Sequence, residues 1–230
     1  MRDVIIACDF KNKEDLFEFL KPFEGLNPFL KIGMEIFYKE GPQLVRELKK
    51  MGCKIFLDLK LHDIPNTVEK AMKNIASLGV EITNVHAAGG SKMMRAAVEA
   101  FEGLENKPLV IAVTQLTSTS KEMMNNEQQI NGEVIDSVVN YARVAKEAGL
   151  DGVVCSPLEA GKVKENCGKD FLCITPGIRF ESDDVGDQVR ITTPAKAREI
   201  GSDYIVVGRP ITAAADPVAA YKRCVAEFVG

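Results

Sequence analysis

Apolar and polar positions along this chain follow two periods in turn. Short, continuously apolar runs cover residues 4–10, 28–34, 54–61, 82–87, 109–116, 152–156, 171–176 and 204–208. Between them lie amphipathic stretches with helical spacing, at 13–20, 43–51, 68–78, 92–101, 133–148, 158–166 and 195–200, and 217–228 closes the chain. Apolar runs without alternation are what strands show when both faces are covered. Eight such runs separated by helical segments predict an α/β fold, a (β/α)8 TIM barrel forming a single domain over 1–230. A doubly wound open sheet is the alternative, and it usually has fewer strands. Punctuation agrees. Gly79, Gly149 and Gly201 stand just past helix ends, where a left-handed residue is needed. Asn66 and Glu69 have the spacing of a capping box.

The barrel reading says where chemistry belongs, because active residues of this fold lie at the C-terminal ends of the strands. Asp9 ends the first apolar run and Lys31 lies in the second. Asp58 and Lys60 end the third, Thr117 follows the fifth, and Arg179 and Arg209 follow the seventh and eighth. The third is the most informative: Asp58-Leu-Lys-Leu-His-Asp-Ile-Pro-Asn-Thr67. Alternation along a strand puts Asp58 and Lys60 on one face, roughly 7 Å apart, with Leu57, Leu59 and Leu61 on the other. Charges at a buried position are costly unless paired, so an acid and a base here point to use. Asp9, Lys31, Asp58, Lys60 and Asp63 form a candidate network in which each charge keeps its neighbours ionised, suited to proton delivery or to stabilising a carbanion. The rival reading is a structural salt-bridge network in the top layer of the barrel.

A second cluster is built for phosphate. Thr175-Pro-Gly-Ile-Arg179 and Val207-Gly-Arg-Pro-Ile211 fall after the last two strands, where barrels often hold a phosphate. Glycine lets backbone N–H groups approach the anion, and arginine adds charge-assisted bonds. Two long connections, 117–131 and 179–193, have the length of functional lids.

Composition narrows the function. The net charge of −4 speaks against general nucleic-acid binding. No stretch approaches the roughly 20 apolar residues of a membrane span, and no secretory signal is seen. None of the six cysteines forms a CxxC pair, which fits reduced, buried thiols in a cytoplasmic protein. The two histidines, His62 and His86, are too few for a zinc site. Asp58 and Asp63 are a conceivable Mg²⁺ pair, but Lys60 between them repels a cation. For His62 a structural hydrogen-bonding role is expected, and Pro65 keeps Asp63 in a turn.

The segment 58–67, together with Ala7-Cys-Asp9, Leu30-Lys-Ile-Gly33, Gln115-Leu-Thr-Ser118, the two phosphate-end turns and Asp187-Gln-Val-Arg190, resembles the orotidine 5′-phosphate decarboxylase family over nearly the whole chain. The short phosphate loop is like that of the bacterial branch. The resemblance implies conversion of orotidine 5′-phosphate to UMP and CO₂ in pyrimidine synthesis, with no metal and no organic cofactor. It implies that Lys60 protonates C6, that Asp58 faces the substrate carboxylate, and that Lys31 and Asp9 contact the ribose hydroxyls, Lys31 also holding Asp58. Asp63 and Thr67 would reach into the partner's site, making a homodimer. Thr117 would bind the pyrimidine, and Arg179, Gln188, Gly208 and Arg209 the phosphate, with Gln188 on a closing lid. Relatives that use Mg²⁺ to decarboxylate or condense sugar phosphates share the Asp-x-Lys-x-x-Asp core. A barrel that only binds a phosphorylated metabolite is the non-catalytic rival.

Overall fold

Parallel pairing runs all the way round the molecule. In the computed structural model, which describes residues 2–181 and 191–230, the strands are β1 Asp3–Ala7, β2 Phe29–Gly33, β3 Lys54–Leu61, β4 Ile82–His86, β5 Leu109–Val113, β6 Gly152–Val154, β7 Leu172–Thr175 and β8 Tyr204–Val207. Each pairs with the next, and β8 returns to β1 with Val4 opposite Ile205 and Ile6 opposite Val207. The closed (β/α)8 barrel predicted from the apolar runs is therefore formed, and no sheet edge is left open.

Each strand is flanked on both faces. Ile5, Ala7, Phe29, Phe56, Ile82, Ile111, Ile174 and Val206 pack together inside the barrel. Their neighbours along the strands, such as Val4, Ile6, Leu30, Ile32, Ile55 and Leu57, join the larger layer between barrel and helices. Two-sided burial explains why the strands read as unbroken apolar runs. β6 meets β7 so closely that Gly152 is required: a Cβ there would stand 2.6 Å from the Leu172 Cβ and run into the Leu172 carbonyl oxygen.

Boundaries differ from the sequence reading for physical reasons. The runs at 4–10 and 109–116 overshoot, because their C-terminal residues leave the ladder to form the mouth. The helix expected at 43–51 is the second half of Met34–Lys50, which bends at Gly41 (φ 69°) before Pro42. The connection 117–131 holds a short helix, Lys121–Asn126, capped by Ser120. The capping box expected at Asn66 and Glu69 is not formed. The helix Pro65–Ala76 starts earlier, with Ile64 as its extended cap and Pro65 in the first turn. A capping box does form at Ser156 and Glu159, just beyond β6. Gly79, Gly149 and Gly201 all have positive φ, as their positions past helix ends demand.

Candidate active site

The polar ends of the strands converge at one mouth of the barrel. Lys31 from β2 reaches Asp9, two residues past β1, at 3.0 Å, and Asp58 on β3 at 3.5 Å. Lys60 closes on the other oxygen of Asp58 at 2.8 Å. The order Asp9, Lys31, Asp58, Lys60 is thus an unbroken chain of alternating charge. Asp58 is 6% exposed, and its carboxylate also accepts a hydrogen bond from Asn84 Nδ2 at 2.7 Å.

Electrostatics follow from this packing. Burial pushes the Asp58 carboxyl up, but the two ammonium groups and the bonds from Lys60 and Asn84 outweigh it and hold it below the usual carboxylate value. Burial pulls Lys31 down, and the charges of Asp58 and Asp9 more than restore it, so its ammonium is held above the usual value. Both groups are therefore ionised near neutrality. The oxygens of Asp58 are taken by Lys60, Asn84 and Lys31. Among the described residues no group of three acids, histidines or cysteines is gathered as metal ligands.

β3 does not present these residues by simple alternation. Its register with β4 shifts between Leu57 and Leu61, and Lys60 adopts φ 50°. The shared face expected for Asp58 and Lys60 is kept, but through a bulge. The Lys60 N–H, displaced from the ladder, donates to Asn84 Oδ1 at 2.8 Å. Asn84 is a site residue that the sequence reading missed. Its only signal is an amide beside Thr83 in the middle of β4.

Lys31, Asp58 and Lys60 line a cavity of about 170 Å³ whose walls include Phe56, Val113, Thr117, Val154 and Val206. An adjoining cavity of about 400 Å³ is lined by Asp9, Gly177, Arg179, Gly208 and Arg209, and Lys31, Pro176 and Val206 belong to both. Charged centre and expected phosphate end are thus one continuous cleft. Gly177 has φ 83°, a conformation that suits glycine. Gly208 caps the short helix Arg209–Thr212 and, with Arg209, lines the cleft. Arg179 is buried, and its Nη1 donates to the Ile178 carbonyl. Backbone bonds from Arg179 N to Thr192 O and from Thr192 N to Gly177 O tie the two ends of the 179–193 connection together. Gln188, with Asp187 and Arg190, lies outside the described residues.

Two predicted residues stay apart from this centre. Asp63 and Thr67 are exposed and line neither cavity. Asp63 sits in the turn expected of it, accepting the Ile64 N–H at 2.6 Å. His62 is exposed and its ring lies tilted against that of His86, with centroids 5.8 Å apart, and without a hydrogen bond from its ring among the described residues. Burial, then the neighbouring His62 and Lys60, hold the His86 imidazole below its usual pKa. All six cysteines are free and buried.

The chain is similar to known proteins over its whole length. A relative from Bacillus cereus (strain AH820), named orotidine 5′-phosphate decarboxylase, is 56% identical, with 100% of this chain and 98% of the relative aligned. One of the same name from Bacillus thuringiensis subsp. konkukian matches equally. A crystal structure of orotidine 5′-phosphate decarboxylase from Lactobacillus acidophilus superposes with a TM-score of 0.89 at 45% identity, covering 100% of both chains. That of an uncharacterized conserved protein from Geobacillus kaustophilus gives 0.88 at 48% identity, covering 98% and 99%. The family model for the orotidine 5′-phosphate decarboxylase / HUMPS family matches residues 2–224, and the chain belongs to that family.

Proposed function

We propose that this chain decarboxylates orotidine 5′-phosphate to UMP and CO₂ in pyrimidine biosynthesis, without a metal or an organic cofactor. The observation that carries the reading is the ion-pair chain Asp9–Lys31–Asp58–Lys60 at the mouth of a cleft that continues to Gly177, Arg179, Gly208 and Arg209. Loss of CO₂ from C6 leaves charge in an orbital that the pyrimidine ring cannot delocalise. A fixed ammonium beside that carbon stabilises the charge as it develops. In this reading Lys60 supplies the stabilisation and then the proton to C6. Asp58 faces the departing carboxylate and, with Lys31, fixes where the Lys60 ammonium stands. Asp9 and Lys31 take the ribose hydroxyls and Thr117 the pyrimidine. Arg179, Arg209, the Gly208 backbone and Gln188 take the phosphate, whose binding energy holds the remote carbon in its reactive geometry.

The working unit in this reading is a homodimer. Asp63 and Thr67 are solvent-facing and flank Ile64, a 66% exposed apolar side chain, while Met34 and Tyr38 are exposed on the helix that follows β2. Exposed apolar side chains such as these suit burial against a second copy, which would carry Asp63 and Thr67 into the neighbouring cleft. The whole chain, 1–230, is taken as one barrel domain. We place the reaction in the cytoplasm: free, buried cysteines fit a reducing compartment, and among the described residues no helix is long and apolar enough to cross a membrane.

The test is ultraviolet-monitored turnover of orotidine 5′-phosphate with and without EDTA. Chelator-insensitive loss of the orotate chromophore with formation of UMP is expected. Folded protein that leaves the substrate intact, or that is active only with Mg²⁺, overturns the reading in favour of the sugar-phosphate enzymes of the family.

A further inference from the structure

β3 and β4 do not pair evenly. Leu57 stands opposite Thr83 and Leu61 opposite Val85, so Asp58, Leu59 and Lys60 together face the single residue Asn84. A regular ladder cannot serve that stretch, and Lys60 holds a left-handed backbone that disfavours any residue with a Cβ. Asn84 fills the gap. Its side-chain carbonyl accepts the Lys60 backbone N–H at 2.8 Å, and its amide nitrogen donates to Asp58 Oδ1 at 2.7 Å. The same Asp58 oxygen receives the Lys60 ammonium at 2.8 Å. Asn84 is fully buried, so neither bond has water as a substitute.

We propose that Asn84 is a positioning residue for the decarboxylation, clamping the Lys60 backbone in the bulge and the Asp58 carboxylate in register with the Lys60 ammonium. The inference rests on the reading given under Proposed function. The task needs one acceptor and one donor on a short, planar, uncharged group, which is what a carboxamide supplies. An aspartate keeps the acceptor and loses the donor. An alanine loses both. One bond fixes the backbone that carries Lys60 and the other the Asp58 carboxylate, so both residues of the dyad are held through this one side chain.

The groups facing Asp58 set how the exchange reads out. Lys31 approaches from β2, Lys60 from β3 itself and Asn84 from β4, with Asp9 beyond Lys31 and the imidazoles of His86 and His62 near Lys60. An added carboxylate at Asn84 would meet Asp58 across a hydrogen-bond distance, and two carboxylates so placed share a proton.

The experiment compares wild type, Asn84→Ala and Asn84→Asp by kcat, KM and UMP affinity across pH. A loss in kcat on the order of 10- to 100-fold is expected for Asn84→Ala, the size for a bond to a charged group. UMP affinity and KM should stay within about threefold, because the phosphate end is untouched. Asn84→Asp, with nearly unchanged volume and an intact bond to Lys60, should move the acid limb of the kcat profile to higher pH. Wild-type turnover with variants that keep kcat within about twofold overturns the inference while leaving the decarboxylase reading intact. So does a fall in kcat with an unshifted pH profile in a folded Asn84→Asp protein. Absence of wild-type turnover instead refutes the decarboxylase reading itself.

Discussion

Replacing Asp58 by asparagine removes one charge from the centre of the network and almost no volume. In the native protein that carboxylate lies 2.8 Å from the Lys60 ammonium and 3.5 Å from that of Lys31. At an effective dielectric of about 20, these separations give gross attractions of about 6 and about 5 kcal/mol. Most of that is offset by the desolvation of three ions. What remains on breaking a buried pair is about 3–5 kcal/mol. The lower end applies here, because the Lys60 side chain is 25% exposed and turns partly to water. Asp58→Asn should therefore lose about 3 kcal/mol at pH 7, since the Lys60 ammonium loses its carboxylate partner and Lys31 keeps only Asp9. The sign with pH follows from the depressed carboxyl. Its contribution is present above the unfolded-state value of about 3.9 and is lost as pH falls through the folded value. The gap between wild type and variant should thus stay level from pH 8 to 5 and narrow only below about pH 4. Urea denaturation at fixed protein concentration, followed by circular dichroism, measures this directly. A variant as stable as wild type at pH 7, with native circular dichroism, refutes the reasoning. The network would then be a place where stability is given up for activity.

Other perturbations probe separate parts of the molecule. Lys60→Ala should abolish measurable decarboxylation while keeping the fold, and near-normal turnover would remove Lys60 from its role as proton donor. Arg209→Ala should raise KM with a smaller effect on kcat, because the exposed Arg209 lines the phosphate end rather than the charged centre, as steady-state kinetics will report. Gly152→Ala should destabilise by about 3 kcal/mol or prevent folding, since the added methyl meets the Leu172 backbone; thermal melting within about 2 °C of wild type refutes the close approach of β6 and β7. Ile64→Glu should shift the protein toward monomer in sedimentation velocity and lower activity at low protein concentration, whereas an unchanged dimer places the interface elsewhere.

The sequence carried much of this arrangement because two-sided burial leaves a plain trace. The interior set of Ile5, Phe56, Ile111 and Ile174 and the outer set of Val4, Ile55 and Leu57 leave successive strand positions apolar on both faces. Polar residues that interrupt such runs therefore stand out, and Lys31, Asp58 and Lys60 were legible for that reason. Asn84 stands beside Thr83 in β4, and one uncharged amide next to another polar residue is a weak signal. Its meaning depends on the bulge that brings Lys60 opposite it, and a bulge is a tertiary event with no marker in local pattern. The start of the helix at Pro65 was misjudged because Asn66 and Glu69 match a capping pattern, while the fixed φ of Pro65 sets the first turn earlier. Asp63 and Thr67 face solvent in the single chain, and the role proposed for them is one that a single chain's sequence pattern does not encode.

The interior layer of Ile5, Phe29, Phe56, Ile82, Ile111, Ile174 and Val206 has a further consequence. It stops the barrel like a cork below Asp58, so the charged centre has one door. In the proposed reaction each turnover consumes the proton that Lys60 carries, and among the described residues the layer beneath it is an apolar cluster. Substrate entry, CO₂ escape and reloading of the ammonium then queue at the same opening. The hydrogen delivered to C6 is drawn from bulk water one cycle in advance, and an enzyme equilibrated in D₂O should place deuterium on C6 from its first turnover.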